Sequence, residues 1–221
     1  MTTTRRKATA KVAEKKPAPL IFNGPPASLR GSLTVANTGD RRLAVRGVTV
    51  LRKGSDDLDV AAAALVPPGA TASLHVTLPV DPGTSPGDYP AEVQVAGIRR
   101  AAVLRVEAVL AMHITPRRLL AGPGTHEVSI EAVNDGNVDL PLAGVTAGRT
   151  YDGGKEPGPD VTLTLTAPTV LAAASSITLQ GRLEVPSSLE PTRRHTASVP
   201  VGLADLEVII LARKPHRRQT P

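Results

Sequence analysis

An all-β chain, arranged as two β-sandwich domains in tandem, is predicted by three features of the sequence. Apolar and polar residues alternate at period two through residues 20–212, the pattern of strands that bury one face. Twenty-one prolines and nineteen glycines are spread along the whole chain, too often for helices of ordinary length. The third feature is an internal repeat. Asn37-Thr38-Gly39-Asp40 and Asn134-Asp135-Gly136-Asn137 each follow an alternating segment and precede an apolar run that ends Gly-Val-Thr.

Taken in order, residues 1–19 carry Arg5, Arg6, Lys7, Lys11, Lys15 and Lys16 against the single acid Glu14, and are expected to be a disordered basic tail. Strands are then expected at Leu33-Thr34-Val35, at Val45 and Val48-Thr49-Val50, at Leu74-His75-Val76-Thr77-Leu78 and at Glu92-Val93-Gln94-Val95, with Val103-Leu104-Arg105-Val106 closing the first copy. The second copy repeats them at Val128-Ser129-Ile130-Glu131, Val161-Thr162-Leu163-Thr164-Leu165, Ile177-Thr178-Leu179, residues 195–201 and Val208-Ile209-Ile210-Leu211. Ala61-Ala62-Ala63-Ala64 is the one helix-prone run, too short to stand alone. A match that persists from first strand to last implies duplication of a whole domain. The expected limits are therefore 20–108 and 109–212, with about seven strands per copy, followed by a basic tail at 213–221 carrying Arg213, Lys214, Arg217 and Arg218. Short strands at this spacing form an immunoglobulin-like sandwich.

Composition narrows the functions. The aromatic residues are Phe22, Tyr89 and Tyr151 alone, so the core must be aliphatic and there is no stacking platform for sugars or bases. The absence of cysteine removes disulfides, thiolate metal ligands and thiol catalysis. The start of the chain scatters charges where a secretory leader has a continuous apolar run, and no stretch is apolar enough for a membrane-spanning helix. A cytoplasmic location, or one within an intracellular particle, is the expectation. The two tails hold more basic charge than the net +6 of the chain, so the body between them is mildly acidic and offers no basic face.

Asn37, Gly39, Asn134 and Gly136 read as structural turn residues, since Asn and Gly tolerate the positive φ of a tight hairpin. Tyr89 reads as a structural tyrosine whose hydroxyl bonds nearby backbone. The order of these parts, an apolar strand with Asn-x-Gly, then Pro67-Pro68-Gly69-Ala70-Thr71 before an alternating strand, then Pro86-Gly87-Asp88-Tyr89, resembles the bacterial immunoglobulin-like modules of the NEW3 and CARDB type. That resemblance implies the sandwich fold and a role as a spacer, adhesion or assembly module. The second copy departs from it by having Arg193-Arg194-His195 where the first has Pro-Gly-Asp-Tyr, and by inserting the turn-rich segment 151–160.

No catalytic constellation is found. The five histidines are too far apart in sequence to form a metal pair on one element, and each reads as an ordinary exposed strand or loop residue. The acids Asp56, Asp57 and Asp59, and the oxygen-rich run 134–139, lack the terminal bidentate glutamate of a calcium loop. Neither a nucleophile elbow nor a phosphate-cradling glycine loop occurs. No cofactor, metal or small-molecule substrate is expected. Sandwich end loops carry specificity, which makes Asp56, Asp57, Asp59, Tyr151 and Lys155 candidate contacts. The basic residues of the tails are candidate contacts to a protein partner or to phosphate. The expectation is a structural or accessory protein that binds other proteins, or itself, in a larger assembly. The alternative is a capsid-like or nucleic-acid-associated component contacting phosphate through its tails.

Overall fold

The structure is a computed structural model that describes residues 18–211 apart from 53, 55, 154, 155, 167, 168 and 191. Its regular elements are strands, with one 3-10 turn at Pro26–Ser28. Seven strands fall before residue 108: β1 (Leu20–Gly24), β2 (Leu29–Ala36), β3 (Leu43–Arg52), β4 (Leu58–Val66), β5 (Thr71–Leu78), β6 (Gly87–Val95) and β7 (Ile98–Val106). They form one sheet in the order β4-β3-β6-β7-β1-β2-β5. The Ala61–64 run lies inside β4, with Ala61 opposite Gly47 and Ala64 opposite Val45. Alternation with Val60 and Leu65 and a long partner strand outweigh the helix preference of alanine, because strand preference is set by packing on neighbours.

Ten strands follow where about seven were expected: β8 (Met112–Thr115), β9 (Arg118–Ala121), β10 (Gly124–Asn134), β11 (Leu140–Pro141), β12 (Val145–Tyr151), β13 (Asp160–Thr166), β14 (Val170–Leu171), β15 (Ser176–Val185), β16 (His195–Val201) and β17 (Ala204–Ile210). Part of the excess is one strand broken in two, since β8 pairs antiparallel with β10 while β9 runs parallel to β17. The rest is the two-residue pair of β11 with β14. The eight remaining strands run β8-β10-β15-β13-β12-β16-β17-β9. Strand β12 turns the sheet's corner, with residues 145–149 paired to β13 and 150–151 to β16. Apart from the broken strand, the neighbour order of the first sheet recurs here, with one addition. Strand β13, the counterpart of β4, also pairs with β15 from Thr162 opposite Glu184 to Thr166 opposite Gln180.

By packing, the chain divides into two compact units. Of the described residues, one unit holds 18–22 with 31–76 and 90–104, the other 23–30, 77–89 and 105–211. In the first, the lone phenylalanine, Phe22, is fully buried, and Gly31 makes its room, because a Cβ there would run into the ring. The core of the second is aliphatic, centred on Ile130, Leu163, Leu179, Leu183, Val199 and Leu206. Burial of such side chains supplies the main stabilising term.

The two Asn-x-Gly turns are not hairpins. Strand β2 is separated from β3 in the sheet order, and β10 is bonded to β8 and β15, so each turn carries the chain across to another part of its sheet. Neither Gly39 nor Gly136 is among the residues with positive φ. The asparagine side chain instead plugs the arch. Asn37 is buried, donates its amide to the carbonyls of Arg41 (2.7 Å) and Val66 (2.9 Å), and accepts from the Gly39 N–H at 3.1 Å. Asn134 repeats this, donating to Val138 (2.9 Å), Leu171 (3.3 Å) and Ala172 (3.0 Å) and accepting from Gly136 at 2.9 Å. Gly136 is needed for space, since a Cβ would run into the Val109 carbonyl oxygen.

Candidate functional site

The end of β12 and the start of β16 are neighbours in the sheet, with Thr150 opposite Ala197 and Tyr151 opposite Thr196. That pairing sets the loop 152–159 beside the segment 186–194, and the two enclose a recess of about 370 Å³. Thr150, fully buried, fixes the loop's base. Its hydroxyl donates to the Pro159 carbonyl at 2.8 Å, and its own carbonyl accepts from the Gly158 N–H at 2.7 Å. Gly158 permits this closeness, because a Cβ would lie 2.5 Å from the Thr150 hydroxyl.

Across the recess, Arg193 joins the two loops. Its guanidinium donates to Asp152 at 2.7 Å and lies 3.0 Å from Glu190. The Asp152 hydrogen bond, with the charges of Glu190 and Asp152, raises the Arg193 pKa further above its ordinary value, so the residue stays cationic. Glu190 also accepts from Thr192 at 2.8 Å. Its carbonyl lies 3.2 Å from the His195 Nε2; a carbonyl only accepts, so that nitrogen carries the proton. His195 is 7 % exposed, which corrects the expectation of a surface histidine. The strand continues into the core there, and the main-chain carbonyl satisfies the ring. Among the described residues, the recess thus presents fixed charge without a serine or threonine hydrogen-bonded to a histidine base.

The candidate residues from sequence are distributed as follows. Tyr151 is 46 % exposed beside the recess, while Lys155 and the basic residues of both tails lie outside the described residues. Asp59 accepts from the Thr49 hydroxyl at 2.6 Å, and the Asp56 carbonyl accepts twice from Arg52, at 3.2 and 2.8 Å. In the oxygen-rich run, Asp135 pairs with His113 at 2.6 Å, and Asp139 accepts from the Ala173 N–H at 2.9 Å. Among the described residues, no group of three or more acids and histidines is placed to hold a metal ion. Asn137, 2 % exposed, accepts from Val109 at 2.7 Å and donates to the carbonyls of Thr84 and Glu107 at 2.9 and 3.0 Å. Tyr89 donates to the Ser85 carbonyl at 2.8 Å.

Sequence reasoning singled out the 151–160 insertion but not Thr150, Glu190, Arg193 or His195 as its companions. The signal was present in Arg193-Arg194-His195, the other place where the expected second copy departs from the first. The two departures meet in one recess. Among the described residues no helix is long and apolar enough to cross a membrane.

No protein-family model matches the chain, and no curated protein does. Among solved structures it is similar to a protein of unknown function from Porphyromonas gingivalis W83, at 19% identity over 87% of this chain and 96% of that one, with a TM-score of 0.28. It is also similar to the E. coli chaperone DraB (14% identity, 87% and 94% covered, TM-score 0.31) and the Pseudomonas aeruginosa CupB2 chaperone (10% identity, 82% and 90% covered, TM-score 0.30). Likeness at these scores passes no role to this chain.

Proposed function

We propose that the chain is a non-catalytic accessory or structural protein, built of two immunoglobulin-like sandwiches in tandem, that binds other proteins within a larger assembly inside the cell or particle. The observation that carries this reading is the convergence of the two departures from the repeat, 151–160 and 188–195, on one end-loop recess. Loops held by a rigid sandwich are where such folds diversify contact. The matching arches of Asn37 and Asn134 support the duplication, and the resemblance to NEW3 and CARDB modules supports its immunoglobulin-like character. Asp152 and Glu190 are engaged with Arg193, so Glu156 and the ring of Tyr151 are the groups turned outward. A tyrosine offers an apolar body and a polar tip, the usual anchor of a protein contact.

The test is affinity capture of the tagged full-length protein from its native lysate, with and without nuclease, beside a Tyr151→Ala, Glu156→Lys variant. A defined protein partner that survives nuclease and is lost with the variant is the expected result. Recovery that collapses with nuclease would instead assign the tails to phosphate and the chain to a nucleic-acid-associated role. Substrate turnover by the purified protein would overturn the non-catalytic reading.

A further inference from the structure

In the first unit, β4 ends its sheet: it is bonded to β3 and, among the described residues, to no strand on its other side. The counterpart strand β13 has that side taken by β15. An edge of this kind presents a row of main-chain N–H and C=O groups that another extended segment can pair as a ladder. Proteins keep such edges from pairing with charged side chains or proline, and neither occurs from Val60 to Val66. Ala61, Ala63 and Leu65 face outward there, with Leu65 60 % exposed. The β3–β4 ladder is irregular between Val45 and Gly47, beside the alanine run, where methyl side chains leave room for an added strand.

Charge at the two ends of the strand pair selects the occupant. Leu43 stands opposite Val66, and Val50 opposite Leu58. At the Leu43 end, residues 40–46 carry Arg41, Arg42 and Arg46 against Asp40; at the Leu58 end, residues 52–59 carry Asp56, Asp57 and Asp59 against Arg52 and Lys53. The three aspartates and the arginines at 41, 42 and 46 are exposed, while Arg52 is drawn to the Asp56 carbonyl. One end is thus net basic and the other net acidic. We propose that this edge is where a second copy of the chain binds, two β4 strands pairing antiparallel with alanine run against alanine run. The arrangement is two-fold symmetric and lays the acidic end of each copy against the basic end of the other, twice over. A parallel pairing would instead set Asp59 against Asp59. This inference goes beyond the partner-binding reading above and rests on the other unit.

The experiment is sedimentation velocity of the full-length protein over a concentration series, at low and high salt. A reversible dimer that weakens as salt rises is expected. The double variant Ala61→Lys, Ala63→Lys brings like charges together across the new ladder and should weaken association by about tenfold; so should Ala61→Glu, Ala63→Glu. Both positions are exposed, so circular dichroism of each variant should match wild type, and an equimolar mixture of the two should recover dimer as a heterodimer. Because the chain has no cysteine, Ala63→Cys should oxidise to a disulfide-linked dimer, while Ser73→Cys on the exposed face of β5 stays monomeric under the same oxidant. A monomer at every concentration would overturn the proposal. So would a dimer that the lysine variant leaves unchanged, or one in which the two cysteine variants cross-link alike.

Discussion

Asn134 is 1 % exposed and shares its amide hydrogens among three main-chain carbonyls, while Asn37 serves two. Removing such a donor strands buried acceptors, which costs more than the bond itself. Asn134→Ala should therefore cost about 2–3 kcal/mol and lower the Tm by roughly 5–10 °C, with Asn37→Ala the milder of the two; calorimetry checks both. The sequence marked these asparagines through their repeat spacing. It did not reveal their work, because an Asn-x-Gly string reads locally as a hairpin, and only the far carbonyls of Val66 and Leu171 turn it into a plug. The Asp88–Arg105 pair, at 2.8 and 2.9 Å, shows a local effect of charge. The Arg105 hydrogen bond, aided by its charge, holds the Asp88 carboxyl below its ordinary value of 3.8. A carboxylate with a folded pKa below its unfolded one stabilises above the unfolded value, and the contribution is lost as pH falls through the folded one. Asp88→Asn should lower stability slightly near neutrality and flatten the acid limb below about pH 4, so that the two profiles converge at low pH. A pH series of chemical denaturation would show whether it does.

At the scale of elements, the corner strand β12 and the loops it brings together decide how the second unit differs from the first. Arg193 bridges two loops at the surface, where ion pairs contribute little to global stability. Arg193→Ala should then leave the Tm almost unchanged while freeing the loop 152–159, seen as faster proteolytic nicking there and weaker partner capture. A large fall in Tm would mean that the bridge props up the core instead. The strands themselves were legible from alternation, as in Val161-Thr162-Leu163-Thr164-Leu165, where buried and outward residues take turns. The breaking of one strand into β8 and β9 was not, since both pieces look like ordinary short apolar segments and differ only in which distant strand receives them. The recess was half legible. The insertion stood out, but its meeting with Arg193 and His195 depends on the non-local register of Tyr151 opposite Thr196.

For the whole molecule, composition placed the chain among all-β proteins and emptied it of thiols and stacking aromatics before any coordinates were needed. Pairings between distant strands lay beyond that reading, because a register is fixed by partners far away in sequence. The doubly bonded β13 is the clearest case. Its counterpart β4 ends its sheet, with Leu65 60 % exposed and no charged side chain from Val60 to Val66, whereas β13 is held by β12 on one side and β15 on the other. In heavy water this difference becomes a clock. Amides of β13 should take up deuterium only through larger openings of the second unit, while alternate amides of β4 in the monomer, turned to an edge with no partner strand among the described residues, exchange first. Two sheets that share one neighbour order would thus be told apart by the time their corresponding strands stay dark to the solvent.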